Sequence, residues 1–532
     1  MSNWPEIVFW MLVMMGAGTA TRWWHGRVPR GWGVVVTTIL GLALAGHLLG
    51  RPWLVGLAGG AWVLFVIVPS VLASQSLRSS TREHYGRARV AARLAAVLHP
   101  FDGWLASPTL IDAVALAARG DTDGAVALLE PLGRFETPAG ERARVLRCRL
   151  TQDWQGILVF AAAHPRQVER DGDLLGHVVR ALGETGDLAG MVDLYEQSKQ
   201  RIAGITPPIV RDSIRLPYFA FSGQPAATDR LLGQSFAGIP AISRDSWLAT
   251  ARLYGGESEA ARADFERLLP DANDLWEKAI RRRIAATHEP MPVLDDARRA
   301  LVAAEADRLE TEDRFGEKTP PGAGGSPVTW SLVGLNGLAF AIQVAFDGST
   351  DLQVLHDLGA LCAGCVGRGE WWRLLTATFL HLGPLHLMMN LAALAMLGPR
   401  AEAALGSGRT LVVYLLSGVG SMAAVAAQGW FSDAPVIAVG ASGAVMGLIG
   451  ATAAMMLRGW LNEGAVAARN RGLAMAGVVL AQMVIDTLVP QLSFTAHLSG
   501  AMIGFVATFL LGDRLGRRAA GRPAPRSGPP LD

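Results

Sequence analysis

The sequence predicts an all-α, polytopic membrane protein with a soluble helical domain set between two groups of membrane helices. Three observations predict it. Nine apolar stretches approach the roughly twenty residues that a helix needs to cross a bilayer, three in the first 74 residues and six after residue 327. The stretch from about 75 to 320 has no such segment and holds most of the acidic residues. The 532-residue chain is 51% hydrophobic and 18% charged, with positive mean hydropathy. That is too apolar for a soluble protein and too charged for a wholly membrane one, so the chain divides into about three units.

The first three segments fall at 5–21, 33–49 and 53–73. They do not read as a secretory signal, because the first charge is Glu6 and the arginines follow the apolar run. Arg22, Arg27 and Arg30 place the first connecting loop in the cytoplasm by the positive-inside rule. Propagated, this puts the amino terminus outside and residues 75–320 in the cytoplasm. Arg78, Arg82, Arg87, Arg89 and Arg93 agree, as do Arg400 with Arg409, Arg458 with Arg469 and Arg471, and the Arg-rich tail. With only three lysines, arginine supplies nearly all the positive charge, the usage of a GC-rich bacterial genome, which suggests a bacterial inner membrane.

The middle block is periodic. GDTDGAVALLE begins at Gly120, GDLAGMVDLYE at Gly186 and GESEAARADFE at Gly256, with weaker copies at Gln152 and Gly223. Successive starts are 32, 34, 37 and 33 residues apart. A helical hairpin of about 34 residues is the tetratricopeptide period, in which stacked units share one core; an irregular helical bundle is the alternative. A Pro/Gly linker from Pro320 to Pro327 ends the block. Six apolar segments follow, at 328–346, 376–398, 409–428, 437–457, 472–490 and 494–512. The resulting boundaries are 1–74, 75–320, 321–512 and 513–532, the last an Arg/Pro/Gly-rich tail of disordered composition suited to contact with anionic lipid.

Net charge of +2 gives no sign of nucleic-acid binding, and three cysteines make no disulfide framework. Cys362 and Cys365 form a C-x-x-C in the loop before the second of the six segments. It reads as an incidental pair or a loop staple; no redox context or second pair with zinc spacing accompanies it.

The chemistry lies in the last six segments. Gly440-Ala441-Ser442-Gly443 opens one apolar run, and Ala496-His497-Leu498-Ser499-Gly500, with Gly504, opens another 55 residues after the serine. Alone, the first is weak, since small residues serve packing in membrane helices. A histidine at membrane depth is costly and usually functional. Together they offer a nucleophile and a base, both near the outer face in the topology above. At a helix start, Ser442 would have unpaired N–H groups and the helix dipole to receive negative charge. His386 and Asn390 share one helical face at the same depth, and both can donate to an oxyanion; the bland alternative is that they pair with each other. Glycines at 443, 447 and 450 and at 500 and 504 suit two closely packed helices, an approach that would bring Ser442 and His497 into hydrogen-bond reach. Asp486 lies eleven residues before His497 and reads as a loop or interface residue, so a two-member dyad is expected. His381 reads as a structural hydrogen-bonder.

The segment from about 328 to 512 resembles the rhomboid intramembrane serine proteases. The motifs that carry the resemblance are Trp372-Arg373, His386-x-x-x-Asn390, Gly398-x-x-x-Glu402, Gly440-Ala441-Ser442-Gly443 and Ala496-His497-x-x-Gly500-x-x-x-Gly504. It covers about a third of the chain. It implies a six-helix core with Ser442 as nucleophile, His497 as general base, and His386, Asn390 and the Ser442 N–H as oxyanion hole. Trp372 and Arg373 would end an outer loop lying partly in the membrane. Where the family commonly places an aromatic residue against the histidine, four after the serine, this chain has Met446.

The reading is therefore a multi-pass serine endopeptidase needing no metal or cofactor. Its substrate would be a transmembrane protein, cut near the outer face of the bilayer at an unstable helix. The repeat domain would bind a cytosolic protein or the substrate's cytoplasmic tail. The competing readings are a catalytically inactive rhomboid-like adaptor that binds membrane clients, and a transporter; the latter lacks mid-membrane charges and repeated halves.

Overall fold

A computed structural model describes residues 4–24, 30–205, 207–288, 293–315, 325–346, 348–431, 437–489 and 493–511. Arg27, most of the 320–327 linker and the tail from 513 lie outside the described residues. The protein is all-α, apart from one antiparallel pair of two-residue strands, and it is a multi-pass membrane protein. Its residues form two compact units, one within Val8–Glu310 and one built mainly from Thr311 onward.

In the first unit, helices Trp4–Trp24 and Arg30–Leu48 precede a continuous helical run from Pro52 to Thr81 that passes through a π-turn at Val63–Ile67. The apolar faces of these helices meet at Phe9, Leu12, Val36, Ile39, Ala43, Val55 and Trp62. The last helix is longer than the expected 53–73 and carries its polar end past the apolar stretch. Trp32 stacks on His99 at 4.2 Å, and Asp102 accepts from the Gly31 N–H at 3.0 Å, which ties the second helix to the start of the polar block.

Beyond residue 85 the chain runs in helical hairpins. All five sequence-marked starts fall in the turn between two helices, each on a residue of positive φ: Gly120, Gln152, Gly186, Gly223 and Gly256. Three of the following helices are capped alike. Asp121, Asp153 and Asp187 accept from the N–H groups of Gly124, Gly156 and Gly190, each at 2.8 Å, satisfying donors that a helix start leaves unpaired. The period seen in the sequence is thus a repeated helix end followed by a repeated helix cap. Tyr195, Tyr218, Phe219, Ile157, Leu174 and Met191 form its shared core. Within that core Arg215 is buried, and it donates to the Tyr195 hydroxyl at 3.3 Å and to Glu305 at 3.4 Å. Glu305 sits on the closing helix Asp296–Phe315, and such a paired charge satisfies what burial would otherwise leave unsolvated.

Gly223 shows how narrow the turn geometry is. A Cβ there would stand 2.5 Å from the Tyr254 carbonyl oxygen, and φ of +68° costs an L-residue about 1–2 kcal/mol by itself. Gly223→Ala is expected to lower the first thermal unfolding transition of the full chain by several degrees. An unchanged transition would mean that the two hairpins do not meet at this turn.

The second unit contains the six helices that position the site: α1 (Pro327–Ala345), α2 (Gly383–Leu405), α3 (Ser407–Trp430), α4 (Ser442–Glu463), α5 (Val466–Leu488) and α6 (Phe494–Leu511). Among the described residues, six helices meet both the length and the hydropathy needed for a span; four of these are α1, α3, α4 and α5. The other three expected segments are helices of 21, 23 and 18 residues, about 27 to 35 Å long at 1.5 Å per residue and so comparable with a hydrocarbon core of roughly 30 Å. Two expected starts were early. The 376–398 segment becomes a helix only at Gly383-Pro384, because Gly383 has φ of +83° and proline favours a first turn. The 437–457 segment begins as strand and turns at Gly440, whose φ is +134°.

Strand β1 (Leu361–Cys362) in the α1–α2 loop pairs antiparallel with β2 (Ile437–Ala438), just ahead of α4. Glu402 near the end of α2 fastens that end to the starts of α1 and α3. It accepts from the Val328 N–H at 3.0 Å, from Thr329 N–H and hydroxyl at 2.8 Å each, and from the Ser407 hydroxyl at 2.8 Å. One carboxylate thereby caps α1 and binds the start of α3. Gly398, the other half of that motif, lies against Thr329 so closely that a Cβ would come within 2.5 Å of it. Helix α4 packs against α2, α3, α5 and α6 and is the most enclosed of the spans.

Candidate active site

Ser442 is the first residue of α4 and is half-buried. Its position is fixed from both sides. Upstream, β2 is held by β1, and the Gly440 N–H donates to the Ala377 carbonyl at 2.9 Å. Downstream, α4 and α6 are in direct backbone contact along their glycines. A Cβ on Gly500 would be 2.2 Å from the Gly443 carbonyl oxygen, and one on Gly504 would be 2.0 Å from that of Gly447. The two glycine faces therefore meet, as their spacing suggests. The Ala496 carbonyl also lies 3.4 Å from the Cβ position of Gly443, so the neighbours of Ser442 and His497 touch. Among the described residues no hydrogen bond joins Ser442 to His497 themselves. Met446 packs with Ile449 and Ala501, beside Met483.

His497, in the first turn of α6, is buried, and its Nδ1 lies 2.7 Å from Asp486 Oδ2 and 2.9 Å from Oδ1. Asp486 is also buried, and Gln482 Nε2 donates to its Oδ1 at 2.8 Å. Of the two sequence readings, loop or interface residue, the structure gives the second: Asp486 lies near the end of α5 and its carboxylate meets the histidine of α6. A hydrogen bond from Nδ1–H to a buried carboxylate fixes the tautomer and leaves Nε2 as the acceptor. One signal could have found it: an acid inside an apolar helix is as rare as the histidine that drew notice.

His386 and Asn390 lie on α2. The Leu382 N–H donates to His386 Nδ1 at 3.3 Å, which leaves Nε2 as the protonated nitrogen. The point where a Cβ on Gly440 would stand is 3.0 Å from His386 Nε2 and 3.8 Å from Ser442 Oγ, so the imidazole edge and the hydroxyl flank the same glycine. Asn390 is buried, and one of its amide hydrogens goes to the His386 carbonyl at 3.0 Å, leaving a second donor on Nδ2. His381 is edge-on to His386 at 5.3 Å between ring centroids. Its backbone is clamped by Gln343 in both directions, at 2.8 and 3.0 Å.

The remaining motif residues frame this cluster. Trp372 is half exposed, whereas Arg373 is buried beneath it and donates to the carbonyls of His356 at 2.6 Å and Ala360 at 3.0 Å. Its Nε also bonds Glu370 at 2.6 Å, and its guanidinium lies 4.6 Å from the Trp372 ring. Arg373 thus binds the α1–α2 loop into a fixed platform beside β1.

A family model described as Rhomboid domain matches residues 368–514. The relative YdcA of Bacillus subtilis (strain 168) is 32% identical over 155 residues, which cover 29% of this chain and 73% of YdcA. The chain belongs to the rhomboid family. It is also 33% identical over 214 residues to rhomboid protease GluP of Bacillus subtilis (strain 168), spanning 40% of this chain but only 39% of that protein. Rhomboid protease AarA of Providencia stuartii is 29% identical over 201 residues, 34% of this chain and 71% of AarA. No solved structure gives a significant match. The rhomboid match covers helices α2 to α6 and every residue named in this site except Gln343 of α1 and those of the α1–α2 loop before Arg368.

Proposed function

We propose that the chain is an intramembrane serine protease that cleaves transmembrane segments near the outer face of a bacterial inner membrane. The observation that carries this reading is the buried Asp486–His497 hydrogen bond beside the helix that starts at Ser442. Ser442 Oγ attacks the scissile carbonyl carbon as His497 Nε2 takes its proton. The oxyanion is received by the Ser442 N–H, by His386 Nε2–H and by the free amide hydrogen of Asn390. Collapse expels the amine, which His497 protonates, and water then hydrolyses the acyl-enzyme by the reverse proton path. The Ser442–His497 hydrogen bond that the resting geometry lacks forms as substrate docks, a tightening common in such sites. Asp486 makes this a triad instead of the expected dyad.

A fluorophosphonate probe tests the reading, because it labels only an activated serine and its phosphonyl oxygen mimics the oxyanion. Wild-type protein is expected to be labelled, with labelling and turnover falling by roughly 10²–10³ in His386→Ala and Asn390→Ala. An unlabelled wild-type protein would leave the adaptor reading standing. Labelling that is undiminished in both variants would make those residues structural.

The hairpin period, the repeated aspartate caps and the shared core support assigning residues 75–320 to a tetratricopeptide-like domain that is cytoplasmic and binds a cytosolic protein or the substrate's tail. A reporter fused after Ser74 is expected to read cytoplasm and one near Arg51 the opposite side; the reverse pattern would place the domain beside the active site. Deleting residues 90–310 is expected to change selectivity among membrane substrates while sparing probe labelling. Unchanged activity on the natural substrate would remove the binding role.

A further inference from the structure

The α1–α2 loop holds a second chemical centre. Cys362 and Cys365 are joined in a disulfide, and the two sulfurs are not equivalent. Cys365 is buried, with His356 Nε2 at 3.4 Å and Arg368 Nη2 at 3.3 Å from its sulfur. Cys362 is half-buried; its sulfur takes the Cys365 N–H at 3.2 Å and lies within 4.8 Å of a His356 ring nitrogen, but among the described residues it has no hydrogen bond to Arg368. One sulfur is therefore the more open to attack, while the other would leave as a thiolate beside a guanidinium, the environment that makes a thiol a good leaving group. The pair is also wired to the active site. Cys362 is the last residue of β1 and lies opposite Ile437 of β2, three residues before Gly440 and five before Ser442. A purely structural staple has no need of a guanidinium on its buried sulfur.

We infer that Cys362–Cys365 is a dithiol–disulfide exchange site whose state governs the strand that positions Ser442; the second half rests on Ser442 being the nucleophile. The co-reactant is a dithiol, either a small molecule or a protein with vicinal thiols. Its thiolate attacks Cys362 Sγ, the Cys362–Cys365 bond breaks, and the electron pair leaves with Cys365 Sγ, stabilised by the Arg368 guanidinium, with His356 Nε2 beside it. The partner's second thiolate then attacks its own sulfur in the mixed disulfide. This forms the partner's disulfide and expels the Cys362 thiolate, which takes a proton from solvent. The cysteine pair gains two electrons and one proton, the latter at Cys362, while the dithiol loses two electrons and both its protons, the second of which passes to solvent. In the reduced form β1 is no longer tied to the turn at Ala363–Gly367. Its two-residue ladder with β2 loosens, and Ser442 loses a fixed position.

The test uses the full chain carrying Cys148→Ser, so that only the pair reports. The protein is equilibrated across ratios of reduced to oxidised dithiothreitol. Maleimide mass shift reads the pair, and fluorophosphonate labelling reads Ser442. The pair is expected to titrate reversibly, and Arg368→Ala and His356→Ala are each expected to raise the dithiol ratio needed at midpoint about tenfold, by destabilising the thiolate product. Labelling should fall roughly tenfold or more on reduction, since small misplacements of a nucleophile are costly. In Cys362→Ser/Cys365→Ser protein it should no longer respond to dithiol. A pair that stays oxidised at every ratio, or whose midpoint ignores both variants, overturns the exchange site. Equal labelling of oxidised and reduced wild-type protein overturns the coupling to Ser442. Labelling absent in both states removes the nucleophile reading and the coupling together, while the maleimide midpoints still decide the exchange site.

Discussion

Ser442→Ala and His497→Ala should each abolish cleavage of a model transmembrane substrate, with losses on the order of 10⁴–10⁶ in kcat and little change in yield of folded protein. The reason is that nucleophile and base act as one unit. Once either is gone, the other has nothing to activate or to accept from, so the double variant should be hardly slower than either single one. Both substitutions are sterically mild: Ser442 is half-buried at a helix start, and His497→Ala removes a ring without disturbing the Gly443–Gly500 and Gly447–Gly504 contacts that hold α4 to α6. Cleavage rates measured in detergent and in liposomes decide the matter. Undiminished cleavage by the Ser442→Ala protein would end the serine-protease reading, and multiplicative losses in the double variant would mean that the two residues act separately.

The fold was legible wherever one physical constraint dominated a long stretch. A bilayer demands about twenty apolar residues at a time, so all nine expected segments coincide with helices. In the polar block, every marked start falls on a left-handed residue at a helix end, because chain reversal there requires it; even Gln152 obeys, with φ of +57°. Boundaries were legible only where hydropathy and backbone chemistry change together. At 376–382 the chain has no charge and four apolar residues, yet Gly383 and Pro384 decide where α2 begins. The strands β1 and β2 left no trace, since two residues cannot display an alternating pattern.

Within the site, the glycine faces of α4 and α6 were readable because small residues at helical spacing imply close approach and little else. His386 and Asn390 were readable as one face of one helix. Asp486 was not, for a geometric reason. Its partner lies eleven residues later, on another helix, so no sequence periodicity brings them together. Only the packing of α5 beside α6 does so. The inequality of the two cysteine sulfurs was hidden for a similar reason, since Arg368 and His356 approach Cys365 through the folding of the loop and not through a metal-ligand spacing.

The same geometry makes the Asp486→Asn variant the sharpest test of how His497 is poised. Asparagine is nearly isosteric, so packing should survive. Gln482 Nε2 donates to Oδ1 of residue 486, and that donor would hold the asparagine carbonyl where Oδ1 now stands. The asparagine amide then occupies the Oδ2 position, 2.7 Å from His497 Nδ1, and becomes a donor toward it. Nδ1 must answer as an acceptor, which moves the proton to Nε2, the nitrogen that has to receive it from Ser442. The expected result is a fall in kcat of roughly 10³–10⁴, the size seen when a triad histidine is held in the wrong tautomer, with probe labelling reduced in parallel and thermal stability almost unchanged. Gln482→Leu added to Asp486→Asn should restore part of the loss, because the asparagine can then turn its carbonyl toward Nδ1. A merely structural Asp486 would behave otherwise: Asp486→Asn would keep wild-type labelling, and removing Gln482 as well would make matters worse, not better.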